Sequence, residues 1–470
     1  MNAPLIWIGI PAAAAIIMLL VSRWKRLAVA LGAGLSLILA GLAWLLPVGK
    51  LIQIGILTFE ISPVWTILGR RFVLESSDRP LVIFFNLALA FWFIAALECD
   101  VFAPFIALGT GMSAILTAAT LVQPFYYGVI FLLIAMVLGV GMLATGSQHV
   151  GGGMLRFLVF QTFGMPILLL IGWMMSSLEI NPTETAQLFT VRLLTSIGFG
   201  LILAIFPFHS WLGMIAEEGH PLLLSYTFFI IPFAANIFAI LFLRQSAWLK
   251  DSLWIIAFFR LSGFLMTLIG GLEAAFHHHI GKLMGYSIMV EIGIMQLVIS
   301  LGFVSTESES FLAILFPLLF GNMISLGLLG LSLSIFQGSY QTIEIDELAG
   351  AGVFSPYSSM AVFMALLSLA GFPVTAGFPA HLIIWQNLFL DFPLGGLSAI
   401  VGSLGILIGS VRTFSVLMRA REKGGREGSE NSYQKILLGI GILGLIILGL
   451  LPQIYFPLTF NLGLIFMGGR

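Results

Sequence analysis

The sequence predicts an all-α polytopic membrane protein, and three observations carry that prediction. Hydrophobic residues make up 59% of the 470 positions and charged residues only 9%, against about 25% charged in a soluble domain. Apolar runs of roughly 17 to 25 residues, the length that crosses a bilayer, recur from one end of the chain to the other. Two runs, at 197–236 and 371–381, are interrupted by prolines, glycines and titratable side chains.

In order, the apolar runs fall at 4–21, 27–46, 80–97, 101–121, 125–145, 154–177, 188–207, 221–243, 253–276, 283–304, 310–336, 358–388, 394–418 and 435–451, which makes about fourteen helices. The run from Leu5 to Val21 has no basic residue before it and Arg23, Lys25 and Arg26 after it, which suits a retained span rather than a cleaved signal. The longest extramembrane piece is 48–79, where alternating Ile52, Ile54 and Ile56, then Phe59, predict a short hairpin. The Pro- and Asn-marked tail from Leu451 to Met467 is not counted as a span. The chain then divides into N-terminal helices over 1–99, a first repeat over 100–245, a second, inverted repeat over 246–420, and a last helix with its tail over 421–470.

A net charge of -1 leaves no basic surface for nucleic acid. The single Cys99 excludes an internal disulfide and a cysteine-ligated cluster, so no cofactor and no electron carrier is expected on this chain. Orientation follows the Lys and Arg of the loops. One face receives Arg23, Lys25, Arg26, Arg156, Lys282, Arg419, Arg421, Lys423, Arg426 and Lys435; the other has Lys50, Arg70, Arg71, Arg79, Arg244 and Lys250. That bias puts the 419–435 loop in the cytoplasm and both termini outside, as expected for a multi-pass protein of the inner (cytoplasmic) membrane.

The first interruption reads IGFGLILAIFPFHSWLGMIAEEGHPLLLSYTFFIIPFAAN. An apolar helix is predicted to reach Pro207 and break through Phe208, His209, Ser210 and Trp211. It then collects Glu217, Glu218 and His220 in a short connection and re-enters an apolar run interrupted by Pro232. Each backbone group freed in lipid must find a partner in protein or in a watery cavity, and broken helices at depth are where transporters hold ions. The second interruption, GFPVTAGFPAH, repeats the pattern with Gly371, Pro373, Gly377 and His381. Paired breaks in two halves point to an inverted-repeat transporter; the alternative is a glycine-proline hinge in an ordinary bundle.

Four stretches carry a resemblance: PFHSWL at 207–212, IGKLMGYSIMVEIG at 280–293, IDELAG at 345–350 followed by Pro356, and SLAGFPVTAGF at 368–378. In this order they resemble the signatures of the antiporter-like membrane subunits of respiratory complex I (NADH:quinone oxidoreductase), membrane-bound hydrogenases and multi-subunit cation/proton antiporters. The resemblance spans about 100 to 390. It implies fourteen transmembrane helices, two inverted five-helix repeats with broken helices facing a hydrated axis, and proton carriage through a buried acid paired with a lysine, further lysines, and a lysine or glutamate at the second break.

This chain departs from that pattern where it bears on transport. Gly109, then Thr110, stands where the resemblance implies the buried acid, in the helix after Asp100. Ile202 stands where a lysine precedes the PFH motif, and Phe233 follows Pro232 where a second lysine is implied. At the second break the lysine or glutamate is His381, and Gly281-Lys282 replaces a Lys-Arg pair. Acid and lysines lost together are self-consistent, because removing one partner of a buried pair orphans the other.

The titratable groups that remain as ion-path candidates are His381, Glu291, Lys282, His209, Arg260 and Glu273. Lys282 and Glu291 are two and a half turns apart and are not an obvious local pair. Arg260, inside WIIAFFRLSGF, is expected to pair with Glu273 or Glu291, or to snorkel. Three candidates also have a structural alternative: a hydrogen bond for Glu291, organisation of the break for His209, and a neutral backbone contact for His381. Consecutive His277, His278 and His279 point about 100° apart on a helix and do not converge on one metal; a cap on the helix beginning near Ile280 is the better account.

Three functions follow. The chain is a membrane-arm subunit of a redox-driven proton or sodium pump with its own channel degenerate or rerouted, or a subunit of a secondary cation/proton antiporter, or a transport-inactive scaffold that joins other membrane subunits or anchors an enzyme. In each case the partners are the bilayer and neighbouring subunits. No long amphipathic helix follows the last span, so a lateral brace is not expected.

Overall fold

Apolar segments that cannot reach water must close their backbone hydrogen bonds internally, and helices are what such segments form. The computed structural model describes residues 2–54, 57–99, 101–102, 104–145, 151–178, 185–245, 247–304, 308–419 and 430–469. Its first half comprises α1 (Ile10–Val21), α2 (Lys25–Leu45), α3 (Arg79–Ala95), α4 (Pro104–Leu121), α5 (Gly128–Thr145), α6 (Gly152–Leu178), α7 (Thr185–Ile202), α8 (Trp211–Glu218) and α9 (Pro221–Arg244). The second half comprises α10 (Ala247–Lys250), α11 (Leu253–Phe276), α12 (Ile280–Val304), α13 (Ser308–Ala313), α14 (Leu315–Tyr340), α15 (Ala351–Phe354), α16 (Pro356–Leu369), α17 (Phe378–Asp391), α18 (Pro393–Leu417), α19 (Ser432–Leu450) and α20 (Phe456–Gly468). Eleven helical stretches among the described residues are long and apolar enough to cross a membrane, and four shorter apolar helices accompany them. The chain is an all-α, multi-pass membrane protein.

The 48–79 stretch holds two hairpins rather than the single one expected. β1 (Leu51–Ile54) pairs antiparallel with β2 (Leu57–Glu60), Leu51 opposite Glu60. β3 (Val64–Ile67) pairs with β4 (Arg70–Val73) through a turn at Leu68 and Gly69, both at positive φ (50° and 73°), the backbone a tight hairpin turn demands. β5 (Val122–Gln123) adds to β4. Ile56, Asp100 and the 420–429 part of the basic loop lie outside the described residues.

Three expectations about helix limits need correction. The helix before Pro207 ends at Ile202, Ala204 takes the left-handed region (φ 56°), and Phe206–Pro207 is a cis peptide. Glu217 and Glu218 form the last turn of α8 rather than a loop. Pro232 does not break its helix: α9 runs through it, because in a fully buried span the neighbouring turns have no better partners than one another. The tail also forms a helix, α20, with Pro457 in its first turn where a missing N–H costs nothing. Gly463 of α20 lies so close to Ala313 that an added Cβ would sit 2.6 Å from the Ala313 oxygen.

α9, α12 and α14 form the buried centre, and α11 and α18, parallel to each other and antiparallel to α12, pack closely against α12. Glycines permit that contact: a Cβ on Gly271 would stand 2.5 Å from Gly402 Cα, and one on Gly409 2.5 Å from the Ala274 oxygen. Thr267 Oγ1 donates to Ser398 Oγ across the same seam at 3.0 Å.

Candidate functional site

α12 is apolar on nearly every side, yet Glu291 lies at its middle and is 1% exposed. Its carboxylate is met from two elements. Asn322 of α14 donates from Nδ2 to Oε2 at 2.7 Å, and His381 of α17 brings Nε2 to 3.1 Å from Oε1. His381 is fully buried, and its Nδ1 lies 2.9 Å from the Gly377 carbonyl. That carbonyl can only accept, so Nδ1 carries a hydrogen. Oε2 is held by the Asn322 amide, so the Nε2–Oε1 contact contains one hydrogen. It resides on the imidazole, giving imidazolium and carboxylate, or on Glu291, giving neutral imidazole and carboxylic acid.

The break between α16 and α17 shapes this contact. Gly371 adopts φ +64°, and a Cβ there would fall 2.7 Å from His381 Cγ, so only glycine leaves room for the ring. Gly377 N–H donates to Ser368 Oγ at 3.1 Å, and Ser325 Oγ of α14 lies 2.8 Å from the same hydroxyl. A Cβ on Gly377 would strike the Ser368 carbonyl oxygen at 2.0 Å. Tyr455 donates its hydroxyl to the Ala376 carbonyl at 2.6 Å. Asn322, Glu291, His381, Gly377, Ser368 and Ser325 thus make a polar ring through α12, α14, α16 and α17, closed between Ser325 and Asn322 by the α14 backbone that carries both. Pro373 lies in the segment the ring encloses, outside both helices. The Trp385 ring packs edge-on to His381 at 5.6 Å.

The other candidates lie apart from this ring. Lys282, in the first turn of α12, pairs with Glu217 at 2.8 Å, and both are partly exposed; it sits about 13 Å along the helix from Glu291. Glu273 pairs with His277 at 3.2 Å at the end of α11. Arg260 pairs with neither Glu273 nor Glu291 but with Asp391, the last residue of α17. The parallel register of α11 and α18 explains this: Thr267 lies beside Ser398, which brings Arg260 level with the α17–α18 turn. His209 stacks on Phe206 at 5.4 Å, and its Nδ1 is buried with no partner among the described residues. Each histidine of the 277–279 run has its own contact: His277 with Glu273, His278 with Asp346, and His279 Nδ1 accepting the Lys282 N–H at 3.2 Å. The last is a cap on α12. Burial pushes the His279 imidazole below its ordinary value, with Glu344 and Glu217 opposing in part.

The first break is built of different material. Gln161 of α6 directs its amide at the freed carbonyls of Leu201 and Ile202, at 3.5 and 3.4 Å. Glu218 accepts the N–H groups of Gly153 and Met154 at 2.8 and 3.1 Å, a carboxylate at the positive end of α6. Gly109, Ile202 and Phe233 are all buried. Phe233 packs against Phe84, Phe85 and Phe229, and Gly109 faces Phe93 and Leu89.

Sequence reasoning missed Asn322, Asp391, Gln161 and the capping role of Glu218. Asn322 carried a usable signal, a lone amide within LFPLLFGNMISLGLL, since a polar group in an apolar helix needs a partner. The others depend on register between distant helices.

The sequence model of the NADH:quinone oxidoreductase/Mrp antiporter transmembrane family matches residues 119–409. The chain is 23% identical over 280 residues to NADH-quinone oxidoreductase subunit N of Deinococcus radiodurans, covering 59% of this chain and 56% of that protein. It is 27% identical over 241 residues to formate hydrogenlyase subunit 3 of Escherichia coli, covering 50% and 38%. The match therefore spans about half or less of these relatives' length. In fold it resembles a chain of the Mrp complex from Dietzia sp. DQ12-45-1b, with a TM-score of 0.80 at 15% identity over 98% of this chain and 96% of that one. With the matched segment covering most of both halves, the chain belongs to the NADH:quinone oxidoreductase/Mrp antiporter membrane-subunit family.

Proposed function

We propose that this chain is a membrane-arm subunit of a redox-driven proton- or sodium-translocating complex, of the complex I or membrane-hydrogenase kind, with its ion site confined to Glu291 and His381 in the second half. The observation that carries this is the buried Glu291–His381 contact across the break between α16 and α17. An imidazole changes charge near neutral pH, and an acid and a base at membrane depth are costly unless they are used. The apolar settings of Gly109, Ile202 and Phe233 support the loss of a relay in the first half. Redox chemistry belongs to partner subunits.

The relatives named as subunits of NADH-quinone oxidoreductase and formate hydrogenlyase support a redox-driven host. The fold likeness to the Mrp complex chain favours the alternative, a subunit of a cation/proton antiporter. In this proposal the eleven long spans, the N-terminal span and two broken spans, at 185–218 and 356–391, make fourteen crossings. The units 100–245 and 246–420 are inverted repeats in the cytoplasmic membrane, with the basic 419–435 loop inside.

The test is ion flux into vesicles containing the purified host complex, comparing wild type with Glu291→Gln and His381→Ala after checking that each complex is assembled. Loss of flux or coupling in an assembled complex is expected. Unchanged turnover and pumping would leave a transport-inactive scaffold as the correct account.

A further inference from the structure

The Arg260–Asp391 ion pair has no part in packing the core, and Arg260 interrupts an otherwise apolar run. The Arg260 and Asp391 side chains are 25% and 36% exposed. Arg260 Nε is buried without a partner among the described residues, and the guanidinium lies 5.2 Å from the centre of the Phe392 ring. The pair is also inset. α11 and α18 run parallel with Thr267 beside Ser398 and Ala274 beside Gly409. The α17–α18 turn therefore stands level with Arg260, about two helical turns, or roughly 10 Å, inside the start of α11 at Leu253. The pair is partly screened where it meets the surface, but its field reaches the buried site through packed protein, where an effective dielectric near 20 applies.

Asp391 and His381 belong to the same helix, ten residues and so about 15 Å apart along its axis. We propose that the Arg260–Asp391 pair sets the proton affinity of the Glu291–His381 site, acting through space along α17 as an electrostatic positioning pair and not as a carrier. Closed, the two charges largely cancel at the site. When Arg260 turns outward, the uncompensated Asp391 carboxylate holds the shared hydrogen more tightly; were Asp391 neutralised, the guanidinium would expel it.

The surroundings leave few competitors. Of the titratable groups on elements packed around the site, Glu217 of α8, Glu273 of α11, Lys282 of α12 and Arg412 of α18 lie at the end where α12 begins, each engaged there with a counter-charge or, for Arg412, with the His277 carbonyl. Tyr226 of α9 is buried against Trp92 and Phe105, Tyr286 of α12 lies against His277, and the Tyr455 hydroxyl is held on the Ala376 carbonyl. Tyr340 of α14 and Tyr357 of α16 stand at that same end, the last and second residues of their helices. Arg244 closes α9 at the opposite end, 2.7 Å from the Met467 carbonyl.

This inference rests on Glu291 being a proton site, and the experiment separates the two claims. The full-length protein in lipid nanodiscs is titrated by infrared spectroscopy, following the carboxylic-acid band that Glu291→Gln abolishes. Asp391→Asn is expected to lower the midpoint and Arg260→Gln to raise it, each by roughly half to one pH unit for a unit charge at about 15 Å and an effective dielectric near 20. The double variant should return to the wild-type midpoint, and the charge-keeping Arg260→Lys and Asp391→Glu should stay close to it. Shifts of the same sign in both single variants, or none, overturn the proposal while leaving the proton site intact. Absence of a titrating Glu291 band in the wild type overturns the site itself, and this inference with it.

Discussion

The two helix breaks follow the same plan and are filled with opposite materials. At the first, between α7 and α8, Gln161 answers the loose carbonyls and the neighbouring centre is aromatic: Phe84, Phe85, Phe229 and Phe233 pack ring on ring. At the second, between α16 and α17, the centre is a polar ring around Glu291 and His381. A break is expensive in a membrane because it frees backbone groups, so retaining it needs a reason in each half. In the first half the reason is structural: the uncharged amide of Gln161 faces the freed carbonyls, and the one histidine of the break, His209, stacks on Phe206 with its Nδ1 unpartnered among the described residues. The second break adds a titratable pair whose own burial must be offset. The break therefore belongs to the architecture, and charge at the break is a separate, removable addition.

The strongest way to break this contrast is to put charge into the dry half. Phe233→Lys loses an aromatic side chain from the core, about 3 to 5 kcal/mol, and adds an unpaired cation at depth, about 2.5 to 3.5 kcal/mol on insertion scales. The variant is expected not to accumulate in membranes. Wild-type abundance and thermal unfolding would mean that the first half holds water or an unrecognised counter-charge.

Next comes Glu291→Ala, which leaves the His381 ring and the Asn322 amide without their acceptor. One-sided removal of a buried pair costs about 3 to 5 kcal/mol. A Glu291→Leu, His381→Leu double variant should recover most of that loss in thermal unfolding, as an apolar replacement of the first-half kind. If the double variant is no more stable than Glu291→Ala, the two residues are not one unit.

A smaller effect is expected from Gly371→Ala. The substitution combines a left-handed backbone with a Cβ 2.7 Å from His381 Cγ, together about 2 kcal/mol, and it displaces the ring from Glu291. The equivalent change at Gly34, whose surroundings are open, should cost nothing measurable. Equal effects at the two glycines would deny that Gly371 shapes the site.

Much of this contrast was legible in the sequence, because it rests on residue type at anchored positions. PFH fixed Ile202 and GFPVTAGF fixed His381, so the absence of lysine at one and the presence of imidazole at the other were visible without coordinates. The partner of Glu291 was not, because nothing local says that α12 and α17 meet at 291 and 381, ninety residues apart. Arg260 shows the same gap: its pairing with Asp391 follows from glycine-permitted contact between α11 and α18, a register that no single-helix pattern encodes. Helix ends failed for a related reason. Pro232 reads as a breaker by propensity, but the fully buried environment of α9 overrides it.

The smallest effect separates titration inside the ring from titration at the end of the same helix. His279 caps α12 by accepting the Lys282 N–H at Nδ1, which requires that nitrogen to be unprotonated, and burial lowers its folded value. The unfolded chain, with histidine near pH 6.5, therefore binds the proton more readily than the folded one. By linkage, stability is full above about pH 6.5 and falls with acidification through the interval down to the lowered folded value, with no further change from this group below it. His279→Asn keeps a capping acceptor without a titrating ring, so thermal unfolding of that variant in detergent should lose this part of its slope between about pH 7 and 5. The Glu291 infrared band should titrate as in the wild type. A Glu291 midpoint that moved with His279→Asn would make the cap and the ring one coupled system, and the second half could no longer be described as a single isolated site facing a dry one.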